Sequence, residues 1–158
     1  MYRTKDYGSQ EHFWRYLALD PQTAESNTTF LHERLADNWG EGEFHCAIEH
    51  RALGHLIGTT RVSVLSNANR CGSLGYALNQ KFTGQGYMTE AAQRILKAGF
   101  EHLGLHRIKA TADVRDQASW RVMERIGMQR EGLVRDHRLI RGQWCNSYLY
   151  AGLSSDRI

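Results

Sequence analysis

Leu78-Asn-Gln-Lys-Phe-Thr-Gly-Gln-Gly-Tyr-Met-Thr89 is the stretch that decides how this chain folds. An apolar, strand-like run, Leu74–Leu78, enters it, and a long amphipathic segment, Thr89–Leu103, leaves it. Gly84 and Gly86 stand one residue apart between them. A strand, a glycine turn and a helix start present free backbone N–H groups beside the positive end of a helix dipole, an arrangement that binds phosphate. A ligand-free turn satisfies the same local pattern. Two glycines abutting the longest helix favour a pyrophosphate held by backbone amides.

Downstream, Met88, Ala92, Ile95, Gly99 and Leu103 recur every three or four residues, with Leu96 and Phe100 widening the stripe. This predicts the strongest helix of the chain, capped by Thr89 with Glu90 in its first turn. Upstream, Phe44, Cys46 and Ile48 alternate over Glu43–His50, and Leu56–Leu65 forms a hairpin with that strand before Cys71–Leu78. Further on, Arg107–Val114 alternates as a strand and Gln117–Ile126 reads as a shorter helix ended by Gly127. Met128–Ile140 and Gln143–Leu153 are two strands around the turn Arg141-Gly142. Near the start, Gln10–Leu19 and Thr23–Asn38 read as helices separated by Asp20-Pro21. The order predicts an α/β (α+β) chain, residues 1–158 as one domain, around one mostly antiparallel sheet.

The chain has 158 residues, 41% of them hydrophobic and 23% charged. No apolar run approaches the ~20 residues of a membrane span, and no apolar core follows Met1–Asp6 as in a signal peptide. Cys46, Cys71 and Cys145 are odd in number and lack paired spacing. They read as free thiols rather than disulfides or metal ligands, so no metal, no membrane and a cytoplasmic location are expected. The net charge of +3 is too small to imply nucleic acid. Residues 1–103 carry 10 basic and 11 acidic side chains (net −1), and 104–158 carry 10 and 6 (net +4). The later arginines are either scattered solvated charge or a face toward an anionic ligand.

The glycine turn is not a P-loop, because no Gly-Lys-Ser/Thr follows. Nor is it a dinucleotide fingerprint, since the third glycine is absent and the strand before it is the third rather than the first. Gln80-Lys-Phe-Thr-Gly-Gln-Gly-Tyr-Met-Thr-Glu-Ala-Ala92 resembles instead the acetyl-CoA pyrophosphate loop of GCN5-related N-acetyltransferases (GNAT), in the branch of the ribosomal-protein alanine and serine N-terminal acetyltransferases (RimJ/RimL-like). Gly58-Thr59, Gly104–Ile108, Asp116–Gly127, Arg130–Asp136, Gly142-Gln-Trp144 and Tyr150 are similar to the same branch, in the same order.

The resemblance implies that the third and fourth strands of Glu43–Leu153 splay apart and that helices flank the sheet. Pantetheine would pair with the main chain of Tyr76, Ala77 and Leu78. The amides of Gln85, Gly86, Tyr87, Met88 and Thr89, after Gly84, would hold the pyrophosphate. It also places Lys81, Asp116, Ser119 and Arg125 on the cofactor side. An amine acceptor would meet the acetyl group at the sheet centre, in a pocket shaped by the first two helices and the last hairpin. Three departures bear on this. Lys81 stands where the family has Gln or Arg, and keeps the charge with less fixed geometry. Asp116 replaces an asparagine; it can cap the helix but donates no amide hydrogen bond. Met123 occupies the position where many relatives carry a tyrosine acid, which removes that proton donor.

Ser119 matches a serine of the branch, and a hydroxyl there can stabilise or protonate the departing thiolate; a solvent-facing helix residue is the plainer reading. An α-amine has a pKa of about 7.7–8.0 and lysine about 10.4, so a site without a strong base suits an N-terminal α-amine. Small amines (polyamine, amino sugar, antibiotic) are the other acceptors, and a degenerate acyl-CoA-binding module is the alternative of a different class. Glu49, Glu90, Glu131, Asp136, His106 and His137 are the base candidates, and none stands out. Tyr7, Phe13, Trp14, Tyr16, Trp39, Trp120 and Trp144 either line the acceptor pocket or belong to the core; Cys145 is core or faces the acceptor. The first strand of the family is short or missing before Gln10. That leaves Glu43–His50 with an open edge which a homodimer would cover.

Overall fold

The computed structural model of the protein describes residues 42–156, and statements about absence refer to these residues. The helices expected over 10–19 and 23–38, the first strand and the aromatics before residue 40 lie outside them. The sheet contains β1 (Glu43–His50), β2 (His55–Ser66), β3 (Cys71–Leu78), β4 (Arg107–Asp113), β5 (Gln129–Ile140) and β6 (Gln143–Leu153). Its order is β1-β2-β3-β4-β6-β5. Helix α1 (Tyr87–Glu101) joins β3 to β4, and α2 (Gln117–Arg125) joins β4 to β5. The strands fall where alternation places them.

All neighbours are antiparallel except β3 and β4. Those two are parallel, as a helical crossover requires, and pair only over Cys71–Ser73 with Arg107–Lys109. Beyond this short zip, Leu74–Leu78 and Ala110–Asp113 diverge, while β3 stays paired to β2 and β4 to β6. The mixed sheet is therefore splayed at its centre, and the splay opens toward the C-terminal ends of β3 and β4.

Both helices cover one face of the sheet. On α1 the buried stripe is Met88, Ala92, Ile95, Leu96 and Gly99, the predicted spacing. Gly99 sits so close to β2 and β4 that a Cβ there would lie 2.7 Å from Ile108 Cδ1 and 3.1 Å from Val62 Cγ2. Met123 and Ile126 of α2 join Ile108, Ala110, Ala112 and Tyr150 in the same core. Each large apolar side chain fully buried here contributes about 1.5–3 kcal/mol. Tyr150 is fully buried and donates its hydroxyl to Glu124 Oε1 of α2 at 2.9 Å. Even-numbered residues of β4 and β6 thus face α1 and α2. The intervening odd-numbered ones point to the other side, because strand side chains alternate.

One predicted boundary is corrected. The helix after the glycine turn begins at Tyr87, with Gly86 as its cap, and ends at Glu101. Thr89 lies inside the first turn and caps nothing. Gly86 takes φ +88°, which swings the chain into the helix without a side-chain cap.

Candidate active site

The loop leaves the sheet in a fixed direction. Asn79 is buried, donates its amide to the Ile57 carbonyl at 2.8 Å, and accepts the Lys81 amide on its side-chain oxygen at 3.0 Å. Opposite Leu78 in register is Gly58. A Cβ there would meet the Ala77 carbonyl oxygen at 2.5 Å, so only glycine lets β2 approach where the loop starts. The loop then makes one 3-10 turn, Gln80–Phe82, and two left-handed residues, Gly84 (φ +77°) and Gly86 (φ +88°).

Glu90 donates the first intrahelical bond, to the Gly86 carbonyl at 3.0 Å. The amides of Tyr87, Met88 and Thr89 consequently have no intrahelical acceptor, and no side chain caps them. A Cβ built on Gly84 or Gly86 would meet nothing within 4 Å. An uncapped start to a 15-residue helix, fronted by open space, fits an anionic group. Lys81 lies on the exposed 3-10 turn beside it.

A contact not foreseen from sequence braces this loop. His50, the last residue of β1, has Nε2 2.9 Å from the Tyr87 hydroxyl. Its ring packs against Tyr87 and Phe82, with centroids 5.2 and 5.7 Å away. No local pattern signals it, since the residues are 37 apart in sequence.

Across the splay, the turn after β4 brings Asp116 and Ser119 to the open end. Asp116 accepts the Ser119 amide on its carboxylate at 3.1 Å and caps α2, as expected. Tyr76 of β3 donates its hydroxyl to the Ser119 carbonyl at 2.8 Å. Burial raises the Tyr76 pKa well above its ordinary value, so the phenol keeps its proton. Every hydrogen bond to Ser119 runs through its main chain, which leaves the hydroxyl uncommitted. The structure thus brings together Tyr76, Asp116 and Ser119 at the mouth whose other wall is Ala77, Leu78 and the loop. Arg125 is exposed in the last turn of α2. Six residues at about 1.5 Å each place it roughly 9 Å along the axis from Ser119.

On the other face of β4 and β6, Asp113 is buried and receives a bidentate pair from Arg115 at 2.8 and 2.6 Å. Arg115 also donates to Cys145 Sγ at 3.1 Å. The guanidinium holds the Asp113 carboxyl below the usual carboxylate range. Ser147, opposite Asp113 in register, is buried beside Nδ1 of His137 at 3.0 Å. All three cysteines are free thiols. Trp144 is 63% exposed at the last hairpin, so a core role for it is corrected; Trp120 packs edge-on against Tyr148.

The family pattern described as "Acetyltransferase (GNAT) domain" matches residues 3–129. Among curated proteins, the probable N-acetyltransferase YjcK of Bacillus subtilis (strain 168) is 31% identical over 147 residues, covering 92% of this chain and 81% of that protein. The [ribosomal protein uS5]-alanine N-acetyltransferase of Escherichia coli (strain K12) is 34% identical over 83 residues, 52% of this chain and 43% of its own length. The crystal structure of a GNAT-family acetyltransferase from Bacillus anthracis superposes with a TM-score of 0.80 at 31% identity, covering 94% and 85% of the two chains. A sheet splayed between its parallel strands, the uncapped helix at the mouth and these matches have one explanation: the chain belongs to the acetyltransferase (GNAT) domain family.

Proposed function

We propose that residues 1–158 form one cytoplasmic N-acetyltransferase domain that transfers acetyl from acetyl-CoA to the N-terminal α-amine of a protein or peptide. Acetyl-CoA, when bound, supplies an activated acyl carbon as a thioester. The amides of Gln85 to Thr89 would hold its pyrophosphate, with Lys81 and Arg125 adding positive charge. The open edge of Tyr76, Ala77 and Leu78 would take the pantetheine arm. Ser119, whose hydroxyl is uncommitted, would donate toward the departing sulfur, and Asp116 would fix the turn that carries it.

The observation that carries the acceptor reading is the charge on the face away from α1 and α2. Beyond the Asp113–Arg115 pair, this face carries Lys109 and Arg138 among the described residues. Extra cations disfavour a polyamine, whose several charges need carboxylates, and tolerate a peptide with one terminal amine. The partial likeness to an alanine N-terminal acetyltransferase supports the same acceptor. A dimer through the outer edge of β1 belongs to this reading, and sedimentation at high concentration tests it.

The acceptor is tested by competition. Peptides with free alanine or serine N-termini, the same peptides N-blocked but containing lysine, and spermidine are offered together with acetyl-CoA, and the acetylated nitrogen is located by fragment mass spectrometry. Acetyl on the α-nitrogen is expected; preferential acetylation of spermidine or lysine overturns the acceptor.

A further inference from the structure

Transfer to an amine leaves a proton to be removed, and the structure separates the six base candidates that the sequence offers among the described residues. Glu131 receives both guanidinium nitrogens of Arg107, which hold its carboxyl ionised and occupied. His106 bonds Ser154 at the N-terminal end of β4, where β3 and β4 are zipped together. Glu90 pairs with Arg94 on the exposed side of α1, and Glu49 is exposed on β1, three strands from β4. Asp136 is exposed and serves the backbone geometry described next.

Between Val134 and Arg138, β5 loses register with β6, and three residues of β5 face Asn146 alone. Asp136 in this bulge has φ +46°, and its amide donates to Asn146 Oδ1 at 2.9 Å. A non-glycine residue held left-handed costs on the order of 1 kcal/mol and persists only where its surroundings impose it. Bulges re-aim side chains, and this one turns His137 onto Ser147. Ser147 pairs with Asp113, the last residue of β4. His137 therefore stands toward the open end of the splay, on the face away from α1 and α2, on the edge strand β5 with β6 between it and β4.

We propose that His137 is the general base of the transfer, its Nε2 taking the proton of the acceptor amine directly or through one water. This rests on the reading of the chain as an amine acetyltransferase. In the tautomer this role requires, Nδ1–H donates to Ser147 Oγ and the ring's lone pair lies on Nε2. The amine lone pair forms the C–N bond, and the C–S electrons leave on sulfur. One N–H proton passes to Nε2, and the thiolate, hydrogen-bonded by the Ser119 hydroxyl, takes its proton from water. His137 then returns its proton to solvent. Among the described residues, the charged or titratable groups around His137 are Asp136 and Arg138 on β5, Lys109 and the Arg115-bound Asp113 on β4, and Cys145 on β6. Desolvation, with Arg138 and Lys109 adding, holds the imidazole pKa below its ordinary value, so the ring is neutral at neutral pH.

The test uses the full chain and whichever amine the wild-type enzyme acetylates fastest, so it does not depend on the acceptor proposed above. Free-thiol release is followed for wild type, His137→Asn and His137→Ala over about pH 5 to 9. His137→Asn should lower kcat about 100-fold with KM for acetyl-CoA unchanged. The part of the acidic limb that the amine's own titration does not account for should vanish, and added imidazole should restore part of the activity of His137→Ala. A kcat within threefold of wild type, or that part of the limb retained without imidazole rescue, overturns the assignment. Wild-type enzyme that releases thiol with no amine overturns the transferase reading instead, and this one with it.

Discussion

The hydroxyl of Tyr76 on β3 donates to the carbonyl of Ser119 on α2 at 2.8 Å, closing over a splay whose two strands share no backbone pairing beyond Ser73 and Lys109. This bond ties the proposed donor strand to the residue proposed to meet the sulfur. Tyr76→Phe keeps the ring and loses the bond. It should destabilise the fold by about 1 kcal/mol, the net worth of one hydrogen bond, read as a lower urea midpoint. With this tie across the splay gone, KM for acetyl-CoA should rise in parallel.

Gly86 is left-handed with open space where a Cβ would stand, so a side chain there meets strain rather than a clash. Gly86→Ala should cost roughly 1 kcal/mol, whereas Gly86→Asn, which tolerates φ > 0 better, should recover part of it. Calorimetry with acetyl-CoA should show the same order of affinities: wild type, then Asn, then Ala. Equal affinity in all three would mean that the pyrophosphate does not rest on this turn.

Ser119→Ala removes a hydroxyl and leaves the amide and carbonyl bonds to Asp116 and Tyr76 in place. Turnover should fall about 100-fold, in the range of a lost proton donor, while acetyl-CoA affinity changes little. Weaker binding with turnover spared would move Ser119 from the chemistry to the donor's grip.

The Asp113 side chain is 3% exposed and its carboxyl pKa is lowered by Arg115. A depressed carboxyl contributes stability that is complete above the unfolded value, about 3.9, and is lost as pH falls through the folded value. Asp113→Asn should therefore destabilise at neutral pH by about 2 kcal/mol, as for a hydrogen bond to a charged partner. The difference from wild type should shrink below about pH 4. Urea midpoints measured at pH 7 and at low pH check both the size and the sign.

Much of the fold was legible because its signals are local. The alternation of Phe44, Cys46 and Ile48, the stripe from Met88 to Gly99 and the stops at Gly127 and Gly142 each act within one element. The glycine turn and helix start of the proposed donor side were legible for the same reason, since they are built from consecutive residues. Thr89 caps nothing because a left-handed glycine, Gly86, caps the helix three residues earlier. The acceptor side was not legible, because its geometry is made between strands. His137 reaches Ser147 only because β5 bulges at Asp136, and a bulge is a property of register with β6. Glu131 looked equivalent until Arg107, 24 residues away, was seen to occupy it.

The central claim is that the splayed strands hold a thioester and pass its acyl group to an amine. Free-thiol release from acetyl-CoA by the wild-type chain, measured with and without a peptide bearing a free N-terminus, tests it most directly. The account predicts thiol released in equal amount with acetylated peptide and almost none without the amine. Calorimetric binding of acetyl-CoA with no thiol release for any peptide or small amine would contradict it and leave an acyl-CoA-binding module.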